Sequence, residues 1–316
     1  MKKIFYIVAV FFSLASACAW LFPPHPSYVV ERKWGLEGNI PGWFENPQGV
    51  AVDTEGRVYV ADMYNHRIQQ FDPDGKFIAI IADYGAGDGR VQYPRSLALD
   101  GQGNLYVVGQ EDGRVQKFSY KGDPPFTFKE LRAGKEVPVG GADVAVGRNG
   151  KIYVAASGFD EIEEFTPQGK WVRRWGGFGK GKGQFDGLFG VTVDPQGNIY
   201  ASDTFNNRIQ KFDPTGNFLA AWGEKGDGPG QFNRPNKLSC DAQGNLFVAD
   251  TGNCRVQKFD ASGKWLASWG AQGKGDGQLD SPYGLTVGRS GLVYVADSGN
   301  NRIVVFRPRK WFEFWN

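Results

Sequence analysis

Histidine is almost absent from this 316-residue chain: His25 and His66 are the only two. A three-histidine zinc site cannot be assembled from them, and neither a Ser-His-Asp nor a Cys-His relay has a placed imidazole to work with. Cysteine is nearly as scarce, with Cys18, Cys240 and Cys254. Three thiols cannot build the multi-bridge framework of a small secreted domain, so stability has to come from a core, and the chain is long enough to bury one. Excess charge is missing too. Without Lys2 and Lys3, 34 basic residues face 34 acidic ones, which gives no global pull towards nucleic acid or an anionic surface.

Glycine, by contrast, is abundant and in register. Gly56, Gly103, Gly150, Gly197, Gly244 and Gly291 lie 47 residues apart with no insertion or deletion, and a fixed period of this length signals a repeat architecture. Aromatics keep the same register. Tyr59, Tyr106, Tyr153, Tyr200, Phe247 and Tyr294 follow three residues later, and Phe71, Phe118, Phe165, Phe212, Phe259 and Phe306 fifteen residues later. Each unit holds four short apolar runs broken by turn residues, as in 190–194, 199–203, 208–213 and 218–223. None has a helical period or length, so these are strands. Asp-Pro-x-Gly (Asp72 to Gly75, Asp213 to Gly216) and Gln-Gly pairs supply the fixed or positive φ of the connecting turns. The expected fold is all-β: a six-bladed β-propeller with four antiparallel strands per blade and a 47-residue repeat.

An open β-solenoid is the competing architecture, but a propeller closes on itself. Residues 30–35 repeat the fourth strand, since Trp34 precedes Pro47 by the thirteen residues that separate Trp222 from Pro235 and Trp269 from Pro282. Pairing this segment with 302–306 would close the ring and remove an exposed edge. Trp311 to Trp315 also sits where a fourth strand belongs, so seven candidates compete for six places. The N-terminal segment is preferred, because leaving it free would put Trp34, Trp43 and Phe44 in water. Cys240 at a core position of a first strand and Cys254 in a loop fall at different heights of their blade, which argues against a disulfide.

Lys2-Lys3 followed by an uncharged run over 4–22 reads as an export signal. Ala15-Ser16-Ala17 fits signal-peptidase cleavage, while Leu14 to Cys18 also resembles a bacterial lipoprotein box with Cys18 as the candidate lipidation site. An uncleaved anchor is a third possibility, as nineteen uncharged residues can just span a bilayer. The expected organisation is therefore a signal peptide or lipoprotein signal or anchor over 1–19, a proline-rich linker over 20–27, the propeller over 28–308, and a C-terminal tail over 309–316. Every alternative places the propeller outside the cytoplasm, periplasmic or tethered on the extracytoplasmic side of the membrane.

In four repeats the second strand ends and the third begins with Asp-x-x-Asn-x-Arg: Asp62 to Arg67, Asp203 to Arg208, Asp250 to Arg255 and Asp297 to Arg302. With the aromatic framework, residues 28–308 resemble the NHL-repeat family, whose fold is a β-propeller often of six blades. Four carboxylates beside asparagines could suggest Ca²⁺ sites, but the Arg five residues on favours a charge-assisted pair that closes each loop. Blades two and three depart, with Gly109 and Ala156 in place of the Asp, and residues 121–139 drop the linker pattern seen in 179–185. Either drift or contact with a partner would account for this.

Among similar propellers, the peptidyl-hydroxyglycine amidating lyases hold a catalytic zinc through histidines that follow the proline opening their first strands. The matching positions here are Gln48, Arg95, Ala142, Phe189, Asn236 and Tyr283, and none is a histidine. The Gly-Lys-Gly-Lys-Gly run at 179–183 matches 226–230 and 273–277, which makes it a blade linker rather than a phosphate loop. A gluconolactonase-like calcium site would have only Asp143 at the mouth. RNA binding through a basic face, known for some NHL propellers, is disfavoured by the balanced charge.

Closing six first strands brings their leading residues to one axis. That rim gathers Arg95, Ser96, Asp143, Phe189, Asn236, Lys237 and Tyr283, of which Arg95, Asp143, Phe189, Asn236, Lys237 and Tyr283 are the candidate ligand-binding residues. Trp175, Trp222 and Trp269, at one repeated position, are read as packing between blades. The expectation is a non-catalytic exported binding or scaffolding propeller, monomeric and without cofactor or metal. It would recognise an envelope protein, peptide, glycan or small molecule through its channel-mouth face, with no nucleic-acid partner and membrane contact only through the N-terminal segment. A metal-dependent lyase or hydrolase is the alternative.

Overall fold

The computed structural model describes residues 27–110, 113–132 and 135–310. The leader, Cys18 and the competing strand at 311–315 lie outside the described residues. Six sheets, each built on four antiparallel strands, are arranged as propeller blades; five take these strands in sequence order, and blade one adds the short parallel strand Arg90–Val91 at its outer edge. Their first strands are Pro47–Val52, Pro94–Leu99, Asp143–Val146, Leu188–Val193, Pro235–Cys240 and Pro282–Val287.

Blade four shows the local logic. Leu188–Val193 pairs with Ile199–Asp203, that strand with Arg208–Phe212, and that in turn with Phe218–Trp222. The turn before the outer strand is built by Asp213, whose Oδ1 accepts the backbone N–H groups of Thr215 at 2.8 Å and Asn217 at 2.9 Å. Gly216 closes it at φ +84°, and a Cβ there would lie 3.1 Å from the Trp175 ring of the preceding blade. The repeated tryptophan thus lies flat on the neighbouring blade's turn, and Trp222 meets Gly263 in the same way. This matches the reading of these tryptophans as blade packing.

Burial follows from stacking blade on blade. All five residues of Ile199–Asp203 are buried, because both faces of a second strand are covered, whereas Phe218–Trp222 at the rim alternates between half-buried and exposed. The core therefore sits between blades. In one cluster Tyr153, Ala155 and Ile162 of blade three pack with Val191, Ile199 and Phe212 of blade four, and another joins Tyr294 and Ile303 of blade six to Val50, Val60 and Phe71 of blade one.

The N-terminal strand Tyr28–Trp34 closes blade six, pairing antiparallel with Arg302–Pro308 from Tyr28 opposite Pro308 to Trp34 opposite Ile303. At this seam no turn glycine is available to cover Trp269. The Tyr28 ring stacks there instead, with centroids 3.9 Å apart and an interplanar angle of 16°. Blade two is the irregular one. Its outer strand is only Phe126–Thr127, and the chain continues into a separate hairpin of Lys129–Arg132 with Lys135–Pro138.

Candidate binding site at the channel mouth

The Asp-x-x-Asn-x-Arg motifs lie at the blade ends and do structural work. Asp250, fully buried, accepts hydrogen bonds from Asn233 N at 2.8 Å, Asn253 Nδ2 at 2.9 Å, Arg255 Nε at 2.8 Å and Gln257 Nε2 at 3.0 Å. Arg255 reaches on to the carbonyls of Gly228 and Gln231, both at 2.9 Å, so each motif clamps the linker that leads into its own blade. The same pairs form at Asp62 and Arg67, Asp203 and Arg208, and Asp297 and Arg302. Burial pushes the Asp62, Asp203 and Asp297 carboxyls upward in pKa, and the surrounding donors pull them back. Their lone pairs are spent inside the protein. Cys240 and Cys254 are free thiols.

Five of the six linkers deliver the chain to the axis through a left-handed residue, the one into blade three being the exception. Asn46, Tyr93 and Arg234 have φ of 53°, 45° and 53° and each precedes a proline. This conformation is costly for such residues. It is held by a hydrogen bond from the previous blade: Asn46 N donates to Asn301 Oδ1 at 2.8 Å, Tyr93 N to His66 Nδ1 at 3.2 Å, and Arg234 N to Asn207 Oδ1 at 3.0 Å. His66 therefore serves as a latch between blades one and two, with Tyr93 also against its ring at 4.1 Å.

Beyond these turns the first strands converge. Gln48, Arg95, Ala142, Phe189, Asn236 and Tyr283 line one depression on the axis, together with Ser96, Asp143 and Lys237. All six candidate ligand-binding residues named above are brought together, but they divide into two groups. Asp143, 1 % exposed, pairs with Lys237 Nζ and accepts from Ser96 Oγ; its Oδ1 also accepts from Val144 N and its Oδ2 from Val191 N, both at 2.8 Å. Lys237 Nζ lies 3.1 Å from Ser96 Oγ. Asp143 and Lys237 thus form a plug that ties blades two, three and five across the axis.

Arg95, Asn236 and Tyr283 form the second group. Arg95 is half-buried, its guanidinium lies 4.7 Å from the centroid of the Phe189 ring, and it makes no hydrogen bond or ion pair among the described residues. Burial lowers its pKa, with Asp143 and Tyr283 acting in the opposite sense. The side-chain amide of Asn236, in a residue only 8 % exposed, and the Tyr283 hydroxyl likewise have no partner among the described residues. The void between these groups and the plug is about 10 Å³, room for about one water. Phe205, 50 % exposed, extends the aromatic surface by an edge-to-face contact with Phe189 at 5.5 Å. Sequence reasoning missed Phe205, although it departs from the Gly252 and Gly299 of the matching loops.

The donor set does not fit the metals of related propellers. Among the described residues no group of three His, Cys, Asp or Glu side chains is placed to hold an ion. Asp143, the one carboxylate among the described residues lining the mouth, is already engaged through both oxygens.

Six blades around a plugged axis, clamped by buried Asp-Arg motifs, define the class as a closed β-propeller. The NHL repeat family matches residues 44–71, 189–212, 232–259 and 279–306, so four of the six blades carry NHL repeats. Blades two and three, which lack the motif aspartate, fall outside these matches. The B-box type zinc finger protein ncl-1 of Caenorhabditis elegans is 44 % identical over 63 residues, which is 18 % of this chain and 7 % of that protein. The chain thus spans under a tenth of that relative's length. Among solved structures, streptogramin B lyase superposes with a TM-score of 0.62 at 14 % identity, covering 89 % of this chain and 98 % of the other. A gluconolactonase from Xanthomonas campestris gives 0.65 at 15 %, covering 89 % and 91 %. Likeness at these identities is a likeness of fold.

Proposed function

We propose that this protein is an exported, non-catalytic binding propeller of the bacterial envelope that recognises its ligand at the channel mouth. One observation carries the reading: Arg95, Asn236 and Tyr283 converge on the mouth with their side-chain hydrogen-bonding capacity unspent among the described residues, while the polar groups of the plug are paired with one another. Partly buried polar groups left unpaired cost stability, and a site that keeps three of them together is suited to a ligand that completes them. Export rests on the uncharged run after Lys2-Lys3, with Cys18 as the candidate point of lipid attachment.

The lyase or hydrolase alternative has the likeness of fold to recommend it, but among the described residues the mouth offers no free carboxylate or imidazole to hold a metal. Capture from envelope extract, comparing the wild-type protein with an Arg95→Ala/Asn236→Ala variant of equal thermal stability, tests the binding reading. A ligand or partner retained only by the wild type is the expected result, and identical lists would overturn it. Stoichiometric zinc or calcium in the purified protein would instead favour the enzyme.

A further inference from the structure

We infer that the channel mouth receives a carboxylate end group, with Arg95 as its counter-ion, Asn236 and Tyr283 as flanking hydrogen-bond partners, and Phe189 with Phe205 as the platform for the adjoining planar or apolar part of the ligand. This rests on the reading of the mouth as the binding site.

Charge comes first. Lys237 is neutralised by Asp143, which leaves Arg95 as the one uncompensated charge among the described residues lining the mouth. A carboxylate carries one negative charge and matches it; a phosphate monoester, at about −1.5 to −2, exceeds it. Geometry points the same way. The Phe189 ring holds the guanidinium against its face, 4.7 Å from the centroid, and this leaves the N–H edge free for two parallel bonds to a carboxylate. Size is the third constraint. The void of about 10 Å³ above the plug holds only about one water, so an end group would meet Arg95 at the rim and the body of the ligand would lie outside, against the half-exposed Phe205. A small organic acid and the C-terminus of a peptide share this chemistry.

Calorimetric titration of the purified protein with hippurate and with its uncharged amide tests the assignment. A short peptide ending in phenylalanine, as free acid and as amide, and inorganic phosphate complete the set of probes. Each acid is expected to bind at least tenfold more tightly than its amide. Arg95→Gln should abolish that difference, and Asn236→Asp, which preserves side-chain volume, should weaken the acids while sparing the amides. Tighter binding of the peptide acid than of hippurate identifies a chain terminus as the natural group; equal binding identifies a small acid. Equal binding of acid and amide, with both weakened by Phe189→Leu, would overturn the carboxylate and leave the mouth as the site. Binding untouched by all three substitutions would overturn both. Preference for phosphate over either acid, or no binding of any acid at millimolar concentration, also overturns the carboxylate.

Discussion

At the residue scale, two side chains of the same chemical type meet opposite fates because of what surrounds them. Lys237 and Arg95 both face the axis, yet one finishes a buried network and the other is left with a ring for a neighbour. The clamp aspartates show the cost of leaving a buried charge alone. Asp250→Ala would strand the Arg255 guanidinium beside a cavity and free three further donors. Breaking a buried pair from one side costs about 3–5 kcal/mol, and urea denaturation should show a loss of that order with the fold retained. Gly284→Ala is expected to be worse tolerated, because its Cβ would fall within 1.7 Å of the Gln48 carbonyl oxygen on the next blade. Backbone atoms cannot step aside as a side chain can, so the variant should express as insoluble or molten protein, read by near-UV circular dichroism. The convergence of Arg95, Phe189, Asn236 and Tyr283 was legible in the sequence, since a fixed period carries equal positions to equal places on the ring. The division between plug and mouth was not. Which of two cations finds Asp143 depends on side-chain reach across the axis, and no one-dimensional pattern encodes that distance.

At the scale of the element, the closing strand is the part of the ring that differs chemically from its equivalents. Five blades are closed by continuous chain, and the sixth depends on Tyr28–Trp34 pairing with Arg302–Pro308. The Trp34 register made this strand readable beforehand, whereas the hairpin Lys129–Pro138 was not, because residues 121–139 have lost the periodic markers that would place it. Tyr28 gives the seam a pH signature. Burial, with the Asp241 charge second, pushes its hydroxyl up to about 12 from an ordinary value of 10.0. A group whose pKa is raised on folding contributes stability that is fully present below its unfolded value and lost as pH rises through its folded value. The seam should therefore weaken between pH 10 and 12, by up to about 2 kcal/mol for this group. Tyr28→Phe keeps the stack on Trp269 but cannot ionise, so its Tm should fall less steeply across that interval than the wild type's. Parallel curves would show that Tyr28 does not govern the seam.

On the scale of the whole molecule, the propeller is braced twice: around its circumference by blade-to-blade cores, and across its axis by the plug. The circumferential brace is distributed over six seams, each with its own buried apolar cluster, so no single contact decides it. The axial brace is concentrated in Lys237, Asp143 and Ser96, which belong to blades five, three and two. That concentration makes the axis sensitive to partial removal and tolerant of complete replacement. Lys237→Met leaves Asp143 buried without its counter-ion, and Asp143→Asn leaves Lys237 facing an amide; each should cost about 3–5 kcal/mol. The Lys237→Met/Asp143→Asn protein has no unpaired charge at the axis, and should be more stable than the sum of the single losses by about 1–3 kcal/mol. A double-mutant cycle by chemical denaturation measures this coupling directly. Strictly additive losses would show that the two side chains do not act as a unit. In that case the mouth would have a second cation available beside Arg95, and Lys237→Met should then weaken the binding of acids as strongly as Arg95→Gln.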